Sequence, residues 1–204
     1  MSSTRLKCYS LRELVDIWPG YPFRGKLPLS PGGEAFVVQF RHVEVGARVQ
    51  DSAGTFLDRA NLTGRKSPNF LQQEDVLFMA KGTRNFAAVI GDIPENTVCT
   101  PNFYHLRLKP ETAGLVADFL VWQLNHRDAQ RYFAACSQGS VAPSITKLQL
   151  GDLPIVVPPL DQQQRLVELS GAAFREEQVL GQLIDNRRRM VSAVGHQILH
   201  PGQD

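Results

Sequence analysis

The chain has 204 residues, 43% of them hydrophobic, which is enough for one domain with a sizeable core plus an appendage and short for two full domains. Its 22 basic residues face 20 acidic ones for a net charge of +2, which excludes holding nucleic acid by bulk electrostatics and leaves any such contact to local patches. Cys8, Cys99 and Cys136 are odd in number, far apart and without metal-ligand spacing, and no stretch approaches the roughly 18 apolar residues of a bilayer span. With no apolar signal core in Met1 to Arg5, a soluble, cytoplasmic protein with reduced thiols and no membrane partner is expected.

In chain order, Leu11, Leu14, Val15 and Trp18 recur at helical spacing behind Ser10, a capping residue. They predict a short helix within Leu6 to Trp18, ended by Pro19-Gly20. Prolines and glycines are too frequent between Gly20 and Gly33 for a regular element. Ala35 to Val45 alternates as a strand, with Gln39 and Arg41 on one face. A polar stretch from Gly54 to Asn69 carries Arg59, Arg65 and Lys66. Asp75 to Ala80 then reads as a buried strand and Phe86 to Ile90 as its hairpin partner. Lys81-Gly82-Thr83-Arg84-Asn85 is the exposed turn between them, with Gly82 supplying backbone freedom.

Asn102 to Leu108 predicts another strand. Pro110-Glu111 opens a helix with an apolar stripe of Leu115, Val116, Phe119, Leu120 and Leu124. A further helical piece, Ala129 to Cys136, runs into the loop Gln138-Gly139-Ser140, and Ser144 to Val157 is a β-like stretch stopped by Pro158-Pro159. The expectation is a mixed α+β body of several short strands over residues 1–160.

From Asp161 to Leu199 there is no proline, and Leu166, Leu169, Ala173, Leu180, Leu183, Met190 and Val194 recur at three- and four-residue steps. Glu176 and Arg187 interrupt this seam, while Ile184, Val191 and others widen it beyond a simple two-stranded stripe. A long amphipathic helix over 161–200 follows. Periodicity alone leaves open whether it packs on its own domain or on another molecule.

Several chemistries are missing. Gly20 to Leu27 has the outline of a phosphate-binding loop, but Leu27 stands where a hydroxyl would hold magnesium, and Pro22 and Pro28 remove the amides and the helix that would cradle phosphate. Pro101-Asn102-Phe103-Tyr104 holds the ingredients of an amino-methyltransferase turn in the wrong order. No lysine has an acidic residue or glutamine two positions before it, as a metal-dependent nuclease of the acidic-x-Lys kind requires. The five histidines show no metal-ligand spacing, and no serine sits in a nucleophile elbow. The residues describe a binding protein, not an enzyme.

The junction Ser144 to Gln164, with its Pro-Pro-Leu-x-x-Gln segment at Pro158 to Gln163, resembles the end of a target recognition domain in the specificity (S) subunits of type I restriction-modification systems. There such a segment precedes a spacer helix. Further pieces match in order: Gly20 to Arg24, Val37 to Arg41, Gly64 to Lys66, Asp75 to Asn85, and Gln138 to Ser140. Full-length S subunits carry two recognition domains and two spacers, so the resemblance is to a half-sized S subunit.

The resemblance implies that the chain reads one half-site of double-stranded DNA and recruits an adenine methyltransferase subunit, and that a restriction subunit can join them. Methyl donor and ATP would belong to those partners, leaving this chain with no cofactor of its own. It further implies a homodimer through antiparallel C-terminal helices, with Leu166, Leu169, Ala173, Leu180, Leu183, Ile184, Met190, Val191 and Val194 at the partner face.

Base and phosphate contacts would come from Lys81, Gly82, Thr83, Arg84 and Asn85. Arg65, Lys66 and Asn69 form a second group, Gln39, Arg41 and Arg24 a third, and Gln138 and Ser140 a fourth. From the residues alone Lys81 to Asn85 is an ordinary solvated turn and Gln138 to Ser140 a helix cap. A rival from another class is a protein-interaction adaptor whose helix pairs with a partner and whose body recognises protein.

Overall fold

A computed structural model describes residues 7–64, 67–82, 84–112, 114–137 and 143–200. The chain divides into two compact units, Met1–Val167 and Glu168–Asp204. The first unit is a mixed α/β body and the second is helical, as expected for the fold class.

The body opens with β1 (Lys7–Ser10), α1 (Leu11–Leu14) and β2 (Val15–Pro19) where one helix was predicted. Only the middle turn is helical. Ser10 does cap it, with its N–H and hydroxyl donating to Glu13 at 2.6 Å. The flanks go to strands because each finds a partner. Lys7–Ser10 pairs with β10 (Pro154–Val157), and Val15–Pro19 pairs along β9 (Phe103–Leu108). Val15 and Ile17 alternate inward, the strand period that a helical spacing of Leu11, Leu14, Val15 and Trp18 conceals.

The next expected strand stops early, at β3 (Ala35–Val38). His42 Nδ1 accepts the N–H of Gln39 at 3.1 Å and folds Phe40–His42 into a single 3₁₀ turn, which ends the strand. Short strands β4 (Arg48–Val49) and β5 (Asp58–Ala60) follow. The predicted hairpin is present as β6 (Val76–Met79) antiparallel to β7 (Ala87–Ile90), and β8 (Thr97–Cys99) precedes β9.

These strands make a five-stranded sheet ordered β2-β9-β6-β7-β4, a three-stranded sheet ordered β5-β3-β8, and the β1-β10 pair. Every residue of β6 is buried because the large sheet is covered on both faces. Val76 and Phe78 face a core built with α2 (Ala117–Asn125) and α3 (Arg127–Cys136), while Leu77 and Met79 face Val38, Leu71 and Cys99.

α2 begins seven residues later than Pro110-Glu111 suggested. Thr112 folds back on Lys109 O through its N–H and hydroxyl, and Gly114 takes φ +105°, so Leu115 and Val116 lie ahead of the helix. The stretch after Ser144 also departs from the β-like reading: α4 (Lys147–Gly151), capped by Thr146 with Gln149, precedes β10. α5 then runs Leu160–Leu199, 40 residues, or about 60 Å at helical rise. No described helix is long and apolar enough to cross a membrane.

Candidate nucleic-acid interface

The turn between β6 and β7 is built outward from the hairpin. Lys81 N–H still reaches Asn102 O, and Gly82 N–H reaches Pro143 O, both at 3.3 Å, so the chain leaves the sheet just where it meets the segment ahead of α4. Gly82 takes φ +125°, a conformation L side chains rarely adopt. Lys81 and Arg84 are exposed, and neither side chain has a partner among the described residues. Asn85 differs: its amide donates to Met79 O at 2.9 Å and to Ala80 O at 3.4 Å, closing the end of the hairpin. Thr83 lies outside the described residues.

Gln39 and Arg41 do come together, on one carboxylate. Both donate to Oδ2 of Asp58, which reaches them from β5, and His42 Nε2 sits 3.5 Å from the same oxygen. Burial pushes the pKa of His42 below its ordinary value, against the pull of Asp58. The turn therefore presents Arg41 in a fixed position with its charge partly met.

Between these two residues stands Phe40, 57% exposed, with its ring centroid 6.0 Å from that of Phe86. This edge contact joins the Gln39–Arg41 turn to the Arg84–Asn85 loop. An exposed aromatic among cations is a stacking or wedge element available to nucleic acid. Sequence reasoning missed Phe40, because an aromatic in an alternating stretch reads as core. Beside the loop, Arg84, Asn85, Val45 and Asn125 line a cleft of about 340 Å³.

Arg24 is not part of that cluster. Its N–H donates to Thr63 Oγ1 at 3.1 Å, and Tyr21 Oη accepts from Gly64 N–H at 2.7 Å, placing Arg24 beside the segment that continues into 65 and 66. Arg65, Lys66, Gln138 and Ser140 lie outside the described residues. Asn69 instead joins Lys81 on the lining of a second cavity of about 630 Å³.

Beneath that cavity is a buried charged node. Asp75, 2% exposed, lies 2.7 Å from His105 Nε2 and receives Nε and Nη2 of Arg107, each at 2.7 Å. Burial raises the Asp75 pKa, but the hydrogen bonds from Arg107 and His105 outweigh it and hold the carboxyl below its ordinary value. Arg107 also lies over the Trp18 ring, 5.8 Å from its centroid. The node fixes β9 to the segment before β6.

At the junction, Gln163 is fully buried. Its Oε1 accepts Val116 N–H at 3.1 Å, and its Nε2 donates to Pro158 O at 2.8 Å and to Gly114 O. Gln123 exchanges hydrogen bonds with Val156 at 2.8 and 3.0 Å. Leu166 packs on the body's own core. Farther along, Leu169, Leu180, Leu183, Ile184, Met190, Val191 and Val194 are 49–71% exposed, and Ala173 is exposed too.

This arrangement has known counterparts. The chain has the fold of type I restriction-modification S subunits. A solved chain from a structure of type I restriction-modification complex assembly and conformational transition aligns at TM-score 0.70 and 15% identity, covering 98% of this chain and 46% of that one. The S subunit from M. genitalium aligns at TM-score 0.57 and 14% identity, covering 97% and 46% respectively. The HsdS subunit from Thermoanaerobacter tengcongensis aligns at TM-score 0.61 and 17% identity, covering 99% and 52%. The chain thus spans about half the length of the structures it matches. No family model and no curated protein matches it by sequence.

Proposed function

We propose that this chain is the DNA specificity subunit of a type I restriction-modification system, non-catalytic itself, reading one half-site and recruiting an adenine methyltransferase subunit. The observation that supports this reading is the alignment of nearly the whole chain with about half of each of three solved chains of type I restriction-modification systems, two of them S subunits. One recognition body over residues 1–160 and one spacer helix over 161–200 amount to half of a two-part reader.

The second half is another copy. The helix leaves eight of its large apolar side chains about half or more exposed, from Leu169 to Val194, and an antiparallel pair of such helices would cover both sets at once about a two-fold axis. Two bodies related in this way read two copies of one half-site, so the target is a palindrome interrupted by a fixed gap. Lys81, Arg84, Arg41 and Phe40 are the contacts toward DNA in this reading.

The test is a long-read methylome of the source organism with and without the gene, alongside a strain carrying Ile184→Glu. Deletion is expected to erase one gapped palindromic adenine motif, and I184E to erase the same motif, with the purified variant monomeric by light scattering. A methylome unchanged by deletion in an otherwise active system would overturn the reading in favour of a protein-interaction adaptor.

A further inference from the structure

Two charges interrupt the apolar face of α5. With about 3.6 residues per turn, Arg187 lies within about 20° and Glu176 within about 40° of Leu180 around the helix axis, in the middle of that face. Both are exposed, and neither has an ion-pair partner among the described residues, whereas Arg188 stands 3.6 Å from Asp185. Covering a charge with apolar side chains is costly, so each of the two calls for an opposite charge from whatever packs on this face.

Their positions supply one. Glu176 and Arg187 stand equally far on either side of the point between Gly181 and Gln182. So do Leu180 and Leu183, Ala173 and Met190, and Leu169 and Val194. An antiparallel pair of these helices with its two-fold axis at that point sets Glu176 of each copy against Arg187 of the other, and stacks the apolar residues in layers between and beyond the two charged ones.

Other arrangements leave the charges unmatched. A parallel pair in register sets Glu176 on Glu176 and Arg187 on Arg187. Sliding the antiparallel pair by one heptad places Glu176 against Val194 and Arg187 against Leu183 in one direction, and against Leu180 and Leu169 in the other.

We propose that α5 takes a second copy of this chain in one register only, antiparallel about the point between Gly181 and Gln182, and that the two Glu176–Arg187 pairs select it. This rests on the helix pairing of the reading above and adds its register. Ion pairs within a helix seam stabilise little, and fixing register is their best-attested use. The register also fixes a length. At helical rise the two copies of Leu160 stand about 65 Å apart along the pair, and a slip of one heptad would change that by about 10 Å.

The test is sedimentation equilibrium on the full chain without DNA, for the parent, Glu176→Arg, Arg187→Glu, the double reversal E176R/R187E, and an equal mixture of the two single variants. Each single reversal puts like charges together in two layers. It should weaken the dimer about a hundredfold, roughly tenfold per layer, while circular dichroism stays that of the parent. The double reversal rebuilds both pairs with exchanged signs and should return to within a few-fold of the parent, and the mixture should form a heterodimer of similar strength.

A parent dimer that both single reversals leave intact, or a double reversal as weak as the singles, would overturn the register while leaving the helix pairing in place. A parent chain that stays monomeric overturns the pairing itself. Because no DNA is present, neither result depends on the outcome of the methylome comparison.

Discussion

Arg84 and Asn85 are neighbours in sequence with unlike duties. The Arg84 side chain is exposed and without a partner among the described residues, whereas the Asn85 amide is spent on the carbonyls of Met79 and Ala80. Arg84→Ala should therefore weaken specific DNA binding by about 1–3 kcal/mol and leave the melting temperature unchanged. Asn85→Ala should lower stability by about 1 kcal/mol, the cost of a lost net hydrogen bond, before any effect on DNA is read. Competition binding and thermal unfolding on both variants separate the two.

Acid should act on the body in a fixed order. The folded chain holds His42 neutral below the ordinary value of 6.5, so the unfolded chain takes up that proton first and stability declines as pH falls through 6.5 toward the folded value. Asp75 and Asp51 are held below 3.8, the latter by the N–H groups of Leu57, Thr55, Phe56 and Gly54 against its own burial. Their contribution is complete above 3.8 and lost as pH falls through their lower folded values. Urea midpoints measured from pH 8 to pH 2 should show a shallow loss starting near 6.5 and a steeper one beginning only below 3.8.

Among elements, the β6–β7 hairpin was legible because both strands are short, apolar and separated by a glycine-bearing polar turn. The first helix was not. Its apolar spacing satisfies a helix and a strand–turn–strand alike, and only long-range pairing decides between them, of Lys7–Ser10 with Pro154–Val157 and of Val15–Pro19 along Phe103–Leu108. Long-range polar contacts were equally invisible: nothing in the sequence says that Asp58 meets Gln39 and Arg41, or that Gln163 meets Gly114 and Val116. The Pro-Pro-Leu-x-x-Gln segment did point to the junction, and the structure gives its final glutamine a reason. Gln163→Leu would remove the partner of the Val116 N–H and of the Gly114 carbonyl, with an expected loss of about 1 kcal/mol measured by denaturant unfolding.

For the whole molecule, Arg12, Arg41, Arg48 and Arg107 each lie against a carboxylate of the same chain. An arginine already met by Asp58 contributes little to counterion release when it approaches a phosphate, so in the proposed dimer the slope of log affinity against log salt should count mainly uncommitted cations, Lys81 and Arg84 among them. Removing the internal carboxylate frees another. Asp58→Asn should steepen that slope by up to about 0.9 per copy while loosening the turn that holds Gln39 and Phe40, so that affinity for any duplex rises at low salt and discrimination between sequences falls. In the proposed DNA-reading role, Asp58 would work as a governor: it would limit how strongly the body holds DNA of the wrong sequence.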